Sequence, residues 1–143
     1  MSEWQPRLVV FLCQWAIKSD SEWYRRVELQ DHVQLIEVPC SGRLNPLFMM
    51  SAMQYGADGL MVVGCDPGKC HYKEGNYLAR RKFDTLKGFL ATLGLDESRV
   101  RVVWLGETES GTLPGLVESL RHDIQQLGPH RELATRQPAP CVA

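Results

Sequence analysis

The stretch GLMVVGC at residues 59–65 decides the fold, and it leads into the glycine-broken turn DPGKCHY at 66–72. A short continuous apolar run with branched side chains is typical of a strand buried on both faces, as in parallel sheets. Cys65 closes the run, and Cys70 follows five residues later. The turn is therefore either an ordinary strand-to-helix connection that contains two thiols or half of a metal site.

Similar apolar runs occur on both sides of this stretch. They read LVVFLC (8–13), VQLIEVPC (33–40) and VRVVWLG (100–106). Segments with helical periodicity lie between and after them, at 19–29, 45–55, 74–93 and from Pro114 to about 127. Such alternation predicts an α/β fold of the Rossmann or flavodoxin-like type, a three-layer arrangement in which about four parallel strands carry helices on both faces.

The helix boundaries are marked by specific residues. Asn45 followed by Pro46 is an N-cap signal, and the apolar segment after it predicts a helix buried on most faces. Gly94 and Gly128 predict where the third and fourth helices stop. The α/β domain is expected to span residues 1–128, with a loose tail at 129–143 that leaves Cys141 outside the core.

Composition excludes several classes of protein. The chain has 143 residues, a formal net charge of -1 and no basic stripe, which argues against nucleic-acid binding. No apolar run approaches the roughly 20 residues that span a bilayer. The N-terminal sequence lacks the zones of a signal peptide, so a cytoplasmic location is expected. In that reducing compartment, five cysteines favour metal binding or redox work over a disulfide framework.

The positions of the cysteines sharpen this prediction. Cys13, Cys40 and Cys65 each close one of the first three predicted strands. The carboxyl ends of parallel strands share one edge of the sheet, which is also where open α/β sheets bind ligands. Cys70 lies in the turn after the third strand, so four sulfurs are expected at one rim. Four thiolates suit zinc or an iron–sulfur cluster.

Two simpler interpretations stay open at this point. A cysteine at the end of a core strand is often only packing. A thiol–disulfide relay on Cys65 and Cys70 is a further alternative, although it leaves Cys13 and Cys40 unexplained. The spacing does not match a zinc ribbon, which would show two Cys-x-x-Cys knuckles.

The sequence also resembles a known family. The motifs PCSGR (39–43), GADG (56–59), GC-P-G-CHY (64–72) and GNY-A-RR (75–81), with Trp104 in the last strand, resemble the delta subunits of methyl-viologen-reducing (F420-non-reducing) hydrogenases from about Arg7 to Gly111. The resemblance implies a [2Fe–2S] cluster, which Cys13, Cys40, Cys65 and Cys70 are expected to hold. It also implies electron transfer between a hydrogenase or other donor and the heterodisulfide reductase A-like flavoprotein subunit of a larger complex.

One departure from the family pattern affects these expectations. The family usually shows a Cys-x-x-Cys pair at the end of the first strand, whereas Ala16 stands where the second cysteine would be. Four cysteines of the pattern are still present and suffice for one cluster. The alternative expectation is a structural or adaptor subunit whose cysteine site binds zinc or nothing.

Overall fold

The computed structural model describes residues 4–14, 22–38, 45–65, 75–92, 94–105 and 111–129, with side chains of the 75–92 helix from Arg80 onward. In chain order, the elements are β1 (Leu8–Cys13), α1 (Glu22–Glu28), β2 (Val33–Val38), α2 (Pro46–Gln54), β3 (Gly59–Cys65), α3 (Gly75–Thr92), β4 (Val100–Leu105) and α4 (Leu113–Leu127). A short 3-10 turn, Glu97–Arg99, precedes β4.

The four strands form one parallel sheet in the order β2-β1-β3-β4. β1 lies between β2 and β3, and its register sets Leu12 opposite both Glu37 and Val63. On the other side of β3, Cys65 pairs with Leu105. The predicted α/β fold with a parallel sheet of four strands is confirmed.

Helices cover both faces of this sheet. On one face, residues of α1 and α4 pack with alternate residues of β1 and β3 around Val10 and Met61. On the other face, residues of α2 and α3 pack around Phe11 and Val62. Every residue of β3 is buried, which explains why its sequence is continuously apolar instead of alternating.

Helix α2 begins as its sequence predicts but is buried on fewer sides. The Asn45 side chain accepts a hydrogen bond from the Leu47 N–H at 2.9 Å, and Pro46 occupies the first turn. Met49 and Met53 are fully buried, whereas Leu47 and Phe48 are each 66% exposed. Among the described elements, the sheet and α3 pack on α2 but leave Leu47 and Phe48 uncovered, so the helix is buried on fewer sides than predicted.

Helices α3 and α4 also form where the sequence predicts helices, but not every large apolar residue in them is buried. In α3, Phe83, Leu86 and Leu90 are buried, whereas Phe89 is 51% exposed. In α4, Val117, Leu120 and Ile124 form a fully buried stripe. Gly128 follows α4 with a positive φ of 80°, which glycine adopts without steric cost and which confirms the predicted stop.

A buried arginine joins three elements at the amino edge of the sheet. Arg99 is only 5% exposed and donates hydrogen bonds to the backbone oxygens of Asp58 at 3.1 Å and Gly128 at 2.6 Å. The Asp58 carboxylate accepts from the Arg7 N–H at 2.9 Å. This polar group holds together the starts of β1, β3 and β4 and the end of α4.

Within the described ranges, no helix is both long and apolar enough to cross a membrane. The predicted tail lies outside the described residues from residue 130 onward, and Cys141 with it.

Candidate metal centre

Two of the four predicted ligands meet in the centre of the sheet. Cys13 is the last residue of β1 and Cys65 the last residue of β3, and these strands are neighbours. Both side chains are buried, at 1% and 5% exposure. Their Sγ atoms lie 3.5 Å apart, although 52 residues separate them in the chain. The prediction that parallel topology brings these two strand-end cysteines to one place is confirmed.

The end of β1 departs from simple strand alternation to make this contact. Cys65 shares a face with Met61 and Val63, whereas alternation from Leu12 would turn Cys13 toward the opposite face. Cys13 nevertheless packs into the core cluster on the α1 and α4 side, together with Cys65. The side-chain direction changes at the strand end, and this change brings the two sulfurs together.

The order of the strands identifies this place as the natural ligand site of the fold. From β1 the chain moves outward to β2, returns to β3 on the other side of β1, and then continues outward to β4. The direction of winding therefore reverses between β1 and β3. Open α/β sheets bind ligands in the crevice outside the carboxyl ends of such a strand pair. Cys13 and Cys65 occupy those two ends.

The separation of the two sulfurs fits metal ligation. Two thiolates on one tetrahedral ion, each with a metal–sulfur bond of about 2.3 Å, lie about 3.8 Å apart. The observed 3.5 Å is close to that value, and well beyond a disulfide bond length of about 2.05 Å. Thiolate is a ligand that zinc and iron–sulfur clusters select. The donor pair therefore fits either group.

The other predicted ligands fall outside the described residues. β2 ends at Val38, two residues before Cys40, and both Cys40 and Cys70 lie in ranges that the structure does not describe. Among the residues it does describe, no group of three or more histidine, cysteine, aspartate or glutamate side chains could hold a metal ion. The site of four sulfurs therefore stays a prediction, and the structure gives the positions of two of them, those of Cys13 and Cys65.

Tyr24 of α1 is a residue with a raised pKa that the sequence did not single out. It packs, partly buried, against the core cluster that contains both cysteines. Burial raises the pKa of its phenol above the usual value, and the negative charges of Glu28 and Glu37 raise it further. Its segment has the weakest helical periodicity in the chain, which is why sequence patterns did not indicate it.

The comparison with protein families settles the membership of the chain. The family model of the methyl-viologen-reducing hydrogenase delta subunit matches residues 8–128, most of the sequence. The chain belongs to this delta-subunit family. The match confirms the resemblance carried by the PCSGR and GC-P-G-CHY motifs, and it extends past Gly111 to include α4.

Relatives of this delta-subunit chain occur in two contexts. It is 38% identical over 131 residues to the D-type iron–sulfur subunit of the F420-non-reducing hydrogenase of Archaeoglobus profundus, covering 90% of this chain and 96% of that one. It is 34% identical to the corresponding "vhc" iron–sulfur subunit of Methanococcus voltae, covering 88% and 89%. It is also 32% identical to the A-type subunit of the ferredoxin:CoB-CoM heterodisulfide reductase of Methanosarcina mazei, covering 87% of this chain but only 16% of that one.

Proposed function

We propose that the protein is an electron-transfer subunit that holds a [2Fe–2S] cluster on Cys13, Cys40, Cys65 and Cys70. The observation that carries the proposal is the pair of buried sulfurs, 3.5 Å apart, at the two strand ends where the sheet reverses its winding. Family membership and the iron–sulfur names of the relatives support the same cofactor. When bound, such a cluster accepts and releases one electron at a time.

The described residues supply the surroundings that such a cofactor needs. Cys13 and Cys65 end strands whose other residues are almost entirely apolar and buried, so the sulfurs are shielded from water on the protein side. Burial and solvent exclusion are among the properties by which a protein sets the potential of a cluster.

The proposed partners follow from the relatives. The chain aligns with a portion of the A-type heterodisulfide reductase polypeptide in two Methanosarcina species, where the same domain is part of one longer chain. Other relatives are named as hydrogenase subunits. We infer that this protein docks on the flavoprotein of a heterodisulfide reductase A-like kind and receives its electrons from a hydrogenase or another donor.

Ala16 supports a second candidate function. It occupies the position where the family usually has a further cysteine, and two thiolates at this distance fit zinc as well as iron. In this alternative, the chain is a structural or adaptor subunit of the same complexes, and its cysteine site holds zinc or is empty.

Spectroscopy of anaerobically purified protein separates the two functions. The electron-transfer proposal predicts about two irons per chain, visible absorption, and an EPR signal after reduction by dithionite. Cys13→Ser and Cys65→Ser should each lower the iron content or shift the spectrum, whereas Cys141→Ser should leave both unchanged. A colourless protein that contains zinc and gives no EPR signal would overturn electron transfer in favour of the adaptor function.

A further inference from the structure

We propose that Cys13 and Cys65 bind the same metal ion, so that one ion of the site is held by the two central strands. The inference rests on the proposed function in that it assigns ligands of the [2Fe–2S] cluster to its two irons. Cys40 and Cys70 then bind the second iron. Neither family membership nor the names of the relatives make this assignment.

The spacing of the cysteines along the chain would favour a different pairing. Cys65 and Cys70 are five residues apart in the sequence, whereas Cys13 is 52 residues from Cys65. Closing a short loop costs less entropy than closing a long one. From the sequence, the pair Cys65 and Cys70 would therefore bind one iron, and Cys13 and Cys40 the other.

The distance between the two sulfurs favours the long-range pair instead. Each iron of a [2Fe–2S] cluster is tetrahedral and takes two of the four thiolates, and ligands of one tetrahedral ion lie about 3.8 Å apart. Thiolates on different irons are farther apart, because the separation of the two irons adds to the distance. The 3.5 Å between the Cys13 and Cys65 sulfurs fits ligands of one ion.

The surrounding structure makes this distance difficult to change. Both cysteines end strands that are paired with each other from Leu8 opposite Gly59 to Leu12 opposite Val63. Both side chains are packed in the same buried cluster. Close-packed protein interiors resist displacement of their side chains. The two sulfurs are therefore held near the separation that ligands of one ion require.

Oxidation of the metal-free chain tests whether this pair forms in solution. Diamide, a diazene oxidant, takes two electrons and two protons from two thiols, forms one S–S bond and becomes a hydrazine. The Cys13 and Cys65 sulfurs need to approach only from 3.5 Å to about 2.05 Å. The test uses the wild-type chain, so it does not depend on the folding of a variant.

Trypsin then reports which cysteines are joined, because the five cysteines fall on five different peptides. After alkylation of the remaining thiols, Cys13 is carried by peptide 8–18, Cys40 by 27–43, Cys65 by 44–69, Cys70 by 70–73 and Cys141 by 137–143. The expected main product joins peptides 8–18 and 44–69. A main product that joins 44–69 to 70–73, or 8–18 to 27–43, would overturn the assignment. The same oxidation in guanidinium is the control, since the unfolded chain should favour the short Cys65–Cys70 loop.

Cobalt(II) titration tests whether the pair binds one ion. The variant Cys40→Ser/Cys70→Ser retains Cys13 and Cys65, and the matched variant Cys13→Ser/Cys40→Ser retains Cys65 and Cys70. We expect the first to bind one cobalt with the charge-transfer intensity of two thiolates, and the second to show the intensity of one. Equal intensities, or the reverse order, would contradict the pairing.

The outcomes distinguish the failure of this inference from the failure of the proposed function. A Cys13–Cys65 disulfide and a two-thiolate cobalt band in a chain that takes up no iron would overturn electron transfer and retain the shared ion. A [2Fe–2S] spectrum together with a Cys65–Cys70 disulfide from the folded chain would overturn the pairing and retain electron transfer.

Discussion

Asp96 shows how one side chain fixes the entry into a strand. It precedes the 3-10 turn Glu97–Arg99, and its carboxylate accepts hydrogen bonds from the Ser98 backbone N–H at 2.9 Å and the Ser98 hydroxyl at 2.5 Å. These donors lower the pKa of Asp96 below its ordinary value, because they stabilise the charged form. The turn leads directly into β4, so this cap helps to set where that strand begins.

Asp96→Ala should lower the free energy of unfolding by about 1 kcal/mol at pH 7, the usual cost of losing a cap. Because the folded-state pKa is lowered, the charged contribution is complete above the unfolded pKa of about 4 and is lost as the pH falls through the folded value. The difference between wild type and Asp96→Ala should therefore shrink below about pH 4. Urea unfolding at pH 7 and near pH 3 measures it.

Asp96→Asn is the matched control for this prediction. It keeps a side-chain oxygen as acceptor but loses the charge, so at pH 7 its stability should lie between those of wild type and Asp96→Ala, and its difference from Asp96→Ala should not change with pH. If Asp96→Ala lowered the free energy of unfolding equally at both pH values, the charge of the Asp96 carboxylate would not be the source of the stabilisation.

At the scale of elements, the sheet is in close contact with α4 at Gly59. A Cβ atom at Gly59 would lie 2.9 Å from Cγ1 of Ile124 and 3.1 Å from Cδ2 of Leu8. Both of these side chains are fully buried and have little room to move. The absence of a side chain at residue 59 therefore sets how closely α4 packs on β3.

Gly59→Ala should destabilise the protein by about 1–3 kcal/mol through overpacking of the core. Gly88→Ala in α3 is the control, because a Cβ there would have no atom within 4 Å. Alanine in an exposed helix interior is expected to stabilise by about 0.5–1 kcal/mol. Thermal or urea unfolding of both variants measures the contrast, and equal effects would contradict the close contact.

The apolar composition of helix α2 does not determine which of its sides are buried. No charged residue occurs between Asn45 and Ala57, yet Leu47, Phe48 and Tyr55 are mostly exposed. Apolar residues on every side of a helix indicate burial only where neighbouring elements exist to cover each side. In the part of the chain that the structure describes, α2 packs on the sheet and on α3.

At the scale of the whole molecule, Arg99 joins segments that are distant in sequence. It donates to the Asp58 oxygen, 41 residues earlier, and to the Gly128 oxygen, 29 residues later. Arg99→Met should lower the free energy of unfolding by about 2 kcal/mol or more, since charged hydrogen bonds contribute about 1.5–3 kcal/mol and the buried Asp58 carbonyl and the partly buried Gly128 carbonyl lose their donor. Urea unfolding measures the change.

Arg80→Met is the matched control for Arg99, because Arg80 is exposed on α3. It should change the free energy of unfolding by no more than about 0.5 kcal/mol. If Arg99→Met were as mild as this control, the buried arginine would not hold the amino edge of the sheet together.

Removal of the proposed metal should leave the fold intact. The buried hydrophobic core on both faces of the sheet is built mainly from residues other than the cysteines, unlike a zinc finger, whose folding depends on its ion. We expect far-UV circular dichroism of the metal-free chain to match that of the loaded chain, with a lower unfolding temperature because a ligand that binds only the folded state stabilises it. Loss of the helical signal on metal removal would contradict an independent core.

The sequence by itself determined the elements of this protein and the edge of the sheet where Cys13 and Cys65 lie. Continuous apolar runs marked the four strands, Asn45 and Gly128 marked helix ends, and cysteines at the ends of parallel strands had to share one rim. Family motifs added the expected cofactor. These conclusions follow from local periodicity and from the single direction of a parallel sheet.

Only the tertiary structure decided which cysteines are neighbours. The order β2-β1-β3-β4 makes β1 and β3 adjacent, and the turn of the Cys13 side chain out of strand alternation brings its sulfur to 3.5 Å from that of Cys65. Strand order depends on contacts between residues about fifty positions apart, and side-chain direction at a strand end depends on the core around it. Local sequence patterns determine neither the strand order nor this side-chain direction, because both arise when the two faces of the sheet are packed together.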